Sequence, residues 1–221
     1  RDTDRSRGLG DVYKRQRQSC PNPFHMAVKK TELREKAKQY FQNMILAAHE
    51  LSCPKLLITS GWQSYSETRQ EAWDRSVWMV GELCRFAEKY GVSLTMETLS
   101  RQSTTLVNTI SDLKQMMKEV NSKAFTITAD IHTIYNAKES IQDYFDTFGK
   151  KLNHCHFMDY KNGIRSHLAW GDGEADIKEI LDIFDRNRFS GHFVLEYTDS
   201  KYFLEPFKVY EKTYHIIRQN L

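Results

Sequence analysis

The chain has 221 residues with 40% apolar and 12% aromatic content, enough to bury one substantial core and ordinary for a globular protein. Its formal charge of +3 is small and residues 1–16 supply +2 of it, so the remainder lacks the concentrated basic footprint of a nucleic-acid binder, and a small-molecule partner fits better. No apolar run approaches the roughly 20 residues that span a bilayer, and Cys20, Cys53, Cys84 and Cys155 have neither metal-site spacing nor the density of a disulfide scaffold.

Residues 1–17 alternate charges, Gly and Ser without an apolar period, and Asp11-Val-Tyr-Lys-Arg-Gln16 resembles a translated sequencing adaptor. This stretch is expected to be a non-native or disordered segment, with residues 18–221 forming one domain. After the Pro-containing segment Cys20 to Met26, apolar residues recur at Leu33, Ala37, Tyr40, Phe41, Met44, Ile45, Ala48 and Leu51, a helical period. Pro54 opens a short apolar strand over 55–61, and a second helix runs through Ala72, Trp73, Val77, Val80, Leu83, Cys84 and Ala87 to a stop at Tyr90-Gly91. The alternation continues with strands over 93–99, 124–132, 153–159 and 192–197, and helices over 108–120, 140–152, 176–186 and 204–219. Five strands and six helices in this order predict an α/β fold with parallel strands and right-handed crossovers. A beginning on an orphan helix reads as the later part of a longer repeat.

Four of the apolar runs each end on one residue of metal-ligand type: Glu97, Asp130, His156 and Glu196. In parallel β/α architecture the carboxyl ends of strands are where ligands bind. Strand alternation puts Thr126, Thr128, Asp130 and His132 on one face, and likewise pairs Thr95 with Glu97, His154 with His156 and Val194 with Glu196. Such a face is costly to bury unless its groups find hydrogen bonds or a cation. An oxygen-rich set with one imidazole suits manganese, cobalt or magnesium better than a thiolate-type zinc site. Taken singly, a Glu at a strand end is more often a capping or salt-bridged residue than a ligand, and His156 could equally be a hydrogen-bonded core histidine; four at successive strand ends favour a site. The strand over 55–61 ends on no ligand and is expected only to shape the pocket. Trp62 and Trp170 lie in loops after strands and are candidates for an apolar wall against a sugar face. Gly171-Asp-Gly173 is too short for a nucleotide signature and reads as a loop that closes over the site or turns the chain.

Read together, Leu94-Thr-Met-Glu-Thr-Leu99, Asp130-Ile-His-Thr-Ile-Tyr135, Tyr144-Phe-Asp-Thr-Phe-Gly149, Leu152-Asn-His-Cys-His-Phe-Met-Asp159, Ser166-His167, Gly171-Asp-Gly173 and Phe193-Val-Leu-Glu-Tyr197 resemble the motifs of the xylose isomerase-like TIM barrel family, its fructoselysine and D-tagatose 3-epimerases in particular. The resemblance implies a (β/α)8 barrel, N-terminally truncated, with about five of eight strands present. It also implies that Glu97, Asp130, His156 and Glu196 hold one divalent cation, with Glu97 and Glu196 doubling as acid and base. The implied reaction is 3-epimerisation of a ketose or ketoamine through a metal-bound ene-diolate, one glutamate removing the C3 proton and the other returning one from the opposite face.

The chain departs from the family where substrate would be read: Ser103 stands where many ketose epimerases have a second Glu, and Thr133 where they have a His. His132 is the expected substitute as a substrate contact, and His167 matches a histidine of the fructoselysine enzyme that suits a sugar hydroxyl. Alternatives are another isomerase or a dehydratase of the family, such as hydroxypyruvate isomerase or inosose dehydratase, or a sugar-binding barrel fragment without catalysis. A phosphodiesterase of the endonuclease IV type needs more histidines than the four, His132, His154, His156 and His167, near the expected mouth. The expected compartment is the cytoplasm and the full-length protein is compatible with a homo-oligomer. An incomplete barrel with two unpaired sheet edges is expected to be poorly stable and inactive by itself.

Overall fold

The computed structural model of the chain describes residues 24–221, so the segment 1–17 and Cys20 lie outside the described residues. The chain divides into two compact units, one ending at Ile127 and one running Thr128–Leu221.

The first unit begins with α1 (Thr31–Glu50), a helix because Ala37, Phe41, Ile45 and Ala48 recur on one face, and all four are buried. Strand β1 (Lys55–Ile58) buries Leu56, Leu57 and Ile58. Helix α2 (Arg69–Glu88) starts at a capping box in which Thr68 and Glu71 each accept the other's backbone N–H. Strand β2 (Ser93–Met96) lies parallel to β1, with Lys55 opposite Ser93 and Ile58 opposite Met96. Helix α3 (Ile110–Val120) repeats the capping box with Thr109 and Asp112 and ends at Asn121, whose positive φ of 43° closes the last turn. Strand β3 (Phe125–Asp130) pairs in parallel with β2, Leu94 opposite Phe125, so the order here is β1-β2-β3. The strand expected over 93–99 stops at Met96, leaving Glu97 one residue beyond it.

The second unit takes the end of β3 into α4 (Ile131–Asn136) and α5 (Ile141–Phe148), the latter capped by Ser140 and followed by a 3-10 turn over Gly149–Lys151. Strand β4 (Leu152–His156) leads through a long loop to α6 (Ile177–Arg186), which is capped by Asp176 and buries Ile177, Ile180 and Phe184. Strand β5 (His192–Val194) lies parallel to β4, His154 opposite His192 and His156 opposite Val194, giving the order β3-β4-β5. Gly191 makes that entry possible, since a Cβ there would sit 2.2 Å from the Asn153 carbonyl oxygen. Phe145, Phe184, Phe189 and Phe193 pack edge to face beneath these elements, with ring centroids 4.8 Å apart for Phe184 and Phe193. Helix α7 (Pro206–Asn220) opens on a proline suited to the first turn, yet of its residues only Thr213 is buried.

Further expectations change. The strand expected over 124–132 ends at Asp130, because the Asp130 Oδ1 accepts the Thr133 N–H at 2.8 Å and so caps α4. His132 therefore sits on a helical turn, not on the strand face of Asp130, and α4 is a seventh α-helix among the described residues where six were expected. The strand expected over 192–197 stops at Val194, which places Glu196 two residues past it. No helix of the described residues is long and apolar enough to cross a membrane.

Candidate metal centre

The second unit brings together three of the four strand-end residues. Asp130 closes β3, His156 closes β4 and Glu196 follows β5, and each side chain is at most 1% exposed. The His156 Nδ1 lies 3.4 Å from the Asp130 Oδ2 and 3.3 Å from the Glu196 Oε2. Strand alternation holds on β4, where the His154 and His156 rings meet at 5.5 Å. His167, from the loop after β4, faces the same carboxylates: its Nδ1 is 3.4 Å from the Glu196 Oε2 and its Nε2 3.8 Å from the Asp130 Oδ2. The His167 backbone is fixed on both sides, its N–H donating to the Thr198 Oγ1 at 2.8 Å and its carbonyl accepting the Thr198 N–H at 3.2 Å.

Taking a carboxylate out of water costs several kcal/mol, and two of them here converge on one imidazole. A divalent cation held by Asp130, His156 and Glu196 would balance that charge. Cys155, between His154 and His156, does not compete as a ligand. Burial, and then Asp130, push its thiol well up, so it stays neutral.

His132 reaches this region from the first turn of α4. Its Nε2 lies 3.2 Å from the Ile164 carbonyl and 3.0 Å from the Asn136 Nδ2, and its ring meets that of His167 at 4.9 Å and 62°. Burial, and then His167, hold the His132 pKa below the ordinary imidazole value, with Asp130 pulling the other way. The ring is therefore neutral at neutral pH. The supporting contacts from Asn136, Ile164 and Thr198 carry no signal in the sequence, because nothing local marks a residue that braces a histidine across a loop.

The other expected site residues lie apart from this cluster or in the first unit. Glu97 is in the first unit, directly after β2, and is buried. Trp62 is also in the first unit and is half-buried; its backbone N–H donates to the His25 Nδ1 at 3.4 Å and its indole meets the His25 ring edge-on. Trp170 belongs to the second unit and is wholly buried, packed on Phe157 with centroids 4.5 Å apart.

Asp159 has a part that its place in a strand-end motif did not reveal. Its Oδ2 accepts the Gly171 and Gly173 N–H groups at 3.0 and 2.8 Å, and its Oδ1 those of Tyr160 and Ala175 at 2.8 and 3.0 Å. One buried carboxylate thus gathers the loop that carries His167. Gly173 is required beside it, since a Cβ there would fall 2.3 Å from the Asp159 Oδ1.

A family model described as xylose isomerase-like TIM barrel matches residues 13–219. A fructoselysine 3-epimerase of Shigella flexneri is 27% identical over 185 residues, covering 83% of this chain and 66% of the relative. This chain therefore spans about two thirds of that relative's length. Among solved structures, D-psicose 3-epimerase from Clostridium cellulolyticum H10 with D-tagatose superposes with a TM-score of 0.75 at 18% identity, over 90% of this chain and 74% of that one. The IolI protein with a bound zinc atom gives 0.74 at 16% identity, over 95% and 80%. At these identities the structural likeness speaks for the fold.

Proposed function

Because the chain belongs to the xylose isomerase-like TIM barrel family, we propose that it serves a metal-dependent sugar epimerase acting at C3 of a ketose or ketoamine. The observation that carries this reading is the buried meeting of Asp130, His156 and Glu196 at 3.3 and 3.4 Å, at the carboxyl ends of β3, β4 and β5. In this reading Asp130, His156 and Glu196 hold one divalent cation, and the family resemblance adds Glu97 as the fourth ligand. When bound, that cation supplies the positive charge that makes the proton next to a carbonyl acidic.

Proton movement falls to the glutamates. Glu196 takes or returns the C3 proton on one face of the planar ene-diolate and Glu97 acts on the other; a base on each face is what inverts the centre. Asp130, whose second oxygen caps α4, and His156 act as ligands only. His167, the least buried of the cluster at 13% exposed, and His132 position the sugar hydroxyls. The ketoamine is the favoured substrate class because the fructoselysine enzyme is among the relatives.

The test is solvent exchange. With manganese or cobalt present, NMR should show deuterium entering C3 of D-psicose, D-tagatose or fructoselysine, and a chelator should abolish it. Glu196→Gln should slow the exchange by about 10²- to 10⁴-fold, the range that a positioned acid or base contributes. Exchange retained in Glu196→Gln would sink the two-glutamate mechanism.

A further inference from the structure

We propose that the second unit carries a subsite for the amino-acid half of a ketoamine, built from the stacked pair Tyr135 and Tyr160 and the carboxylate of Glu174. The Tyr135 and Tyr160 rings lie 3.9 Å apart between centroids, at 20° to one another. Tyr135 comes from the end of α4 and Tyr160 from the loop after β4; both are half-buried, and Glu174 is exposed. The proposal rests on the ketoamine reading above and uses none of the groups assigned there to the metal, the proton or the sugar hydroxyls.

Glu174 is held in place. Its Oε1 accepts the Tyr135 hydroxyl at 3.0 Å and the Asn162 N–H at 2.9 Å, and its own N–H donates to the Tyr160 carbonyl at 2.8 Å. Both side-chain bonds fall on Oε1, so Oε2 remains to accept from a ligand's N–H. Among the described residues no lysine, arginine or histidine pairs with this carboxylate. A carboxylate fixed beside aromatic rings, with no cation of its own, suits an ammonium: the charge meets the carboxylate and the carbon stem lies on the rings. The field at the rings has the matching sign. Burial, and then Tyr135, Asp159, Glu179 and Glu174, push the Tyr160 hydroxyl above its ordinary value. An amino acid also brings a carboxylate, and the loop between Tyr160 and Glu174 carries the exposed Lys161 and Arg165.

The position suits a substituent on a sugar. Tyr135 stands about one helical turn beyond His132 on α4, and the loop that supplies Tyr160 also gives His132 its Ile164 contact, so the patch borders the histidines beside the metal centre. A plain ketose has nothing to place there, whereas a ketoamine has a cationic nitrogen and a carbon chain.

Isothermal titration of the full chain with fructoselysine and with D-psicose, in the presence of manganese, tests the subsite. The wild type should bind fructoselysine more tightly, and Glu174→Gln and Tyr160→Leu should each cut the ratio of the two affinities by about 2- to 5-fold, the range for one surface ion pair or one exposed cation on an aromatic ring. Equal affinities in the wild type, an unchanged ratio in either variant, or a fall in both affinities alike overturns the subsite and leaves the metal-dependent sugar reading standing. Fructoselysine binding that Glu174→Gln weakens, with no binding of D-psicose, supports the subsite and counts against the sugar site of the proposed function. Binding of neither compound overturns both. If the variants fail to fold, NMR of the wild type decides: the amino-acid methylene resonances of bound fructoselysine should shift upfield over the tyrosine rings, and unshifted resonances overturn the subsite.

Discussion

Asp159 and Asp130 are both buried carboxylates beside a strand end, and their partners give them opposite parts. All the hydrogen bonds named above for Asp159 come from backbone N–H groups of its own loop, at Tyr160, Gly171, Gly173 and Ala175, whereas one oxygen of Asp130 looks toward His156. Removing the Asp159 carboxylate leaves several of those donors without an acceptor, at roughly 1–3 kcal/mol for each that stays out of water. Asp159→Ala should therefore destabilise the protein by about 3–5 kcal/mol and hasten proteolysis within 160–175, while Asp159→Asn keeps one acceptor oxygen and loses less. Unchanged cleavage in the alanine variant would show that the loop is anchored elsewhere. The sequence marks Asp130, His156 and Glu196 because strand ends are local features. The role of Asp159 depends on partners 12 to 16 residues further along the chain, which no short-range period reports.

At the level of elements, Asp172 ties the turn after Trp170 to the C-terminal part of the second unit. Tyr202 donates to its Oδ2 at 2.7 Å, Lys201 lies 3.2 Å away and Lys212 reaches it from α7. Burial pushes the Asp172 carboxyl up, but Lys212, Tyr202 and Lys201 together outweigh it and hold the pKa at about 2 against an ordinary 3.8. A carboxyl held lower in the folded state adds stability that is full above the unfolded value and lost as pH falls through the folded one. Wild type should thus lose stability relative to Asp172→Asn as pH falls from about 4 to about 2, in paired urea melts, and parallel curves would exclude the anchor. Helices α1, α2, α3 and α6 are legible in the sequence from apolar spacing, and the structure adds the caps Thr68, Thr109 and Asp176 at the starts of the last three. Helix α4 is not, because Thr-Ala-Asp-Ile-His keeps the two-residue alternation of β3 while the Asp130 side chain turns the backbone into a helix. Strand β5 is shorter than its apolar run for a similar reason: Phe193-Val-Leu continues the pattern, but pairing with β4 ends at Val194.

For the molecule as a whole, net charge says little, while the placement of buried charge says much. Of the formal +3, residues 1–16 supply most, yet the second unit buries Asp130 and Glu196 against one another through His156. A cation that binds this arrangement and not the unfolded chain stabilises the fold by mass action, about 2.7 kcal/mol at a hundred times its Kd. For a chain of this size that corresponds to a rise in melting midpoint of roughly 5–10 °C. The share is large here, because α7 leaves Phe207, Tyr210 and Tyr214 exposed, next to an exposed Phe203 and Leu204, so apolar burial contributes little at that end. Thermal unfolding followed by circular dichroism should therefore show a midpoint that climbs with the logarithm of added manganese or cobalt and falls on chelation. Glu196→Gln should lose most of the climb. A midpoint indifferent to cation in the wild-type chain would mean that the buried carboxylates are balanced by protons, and the metal-centre reading would go with it.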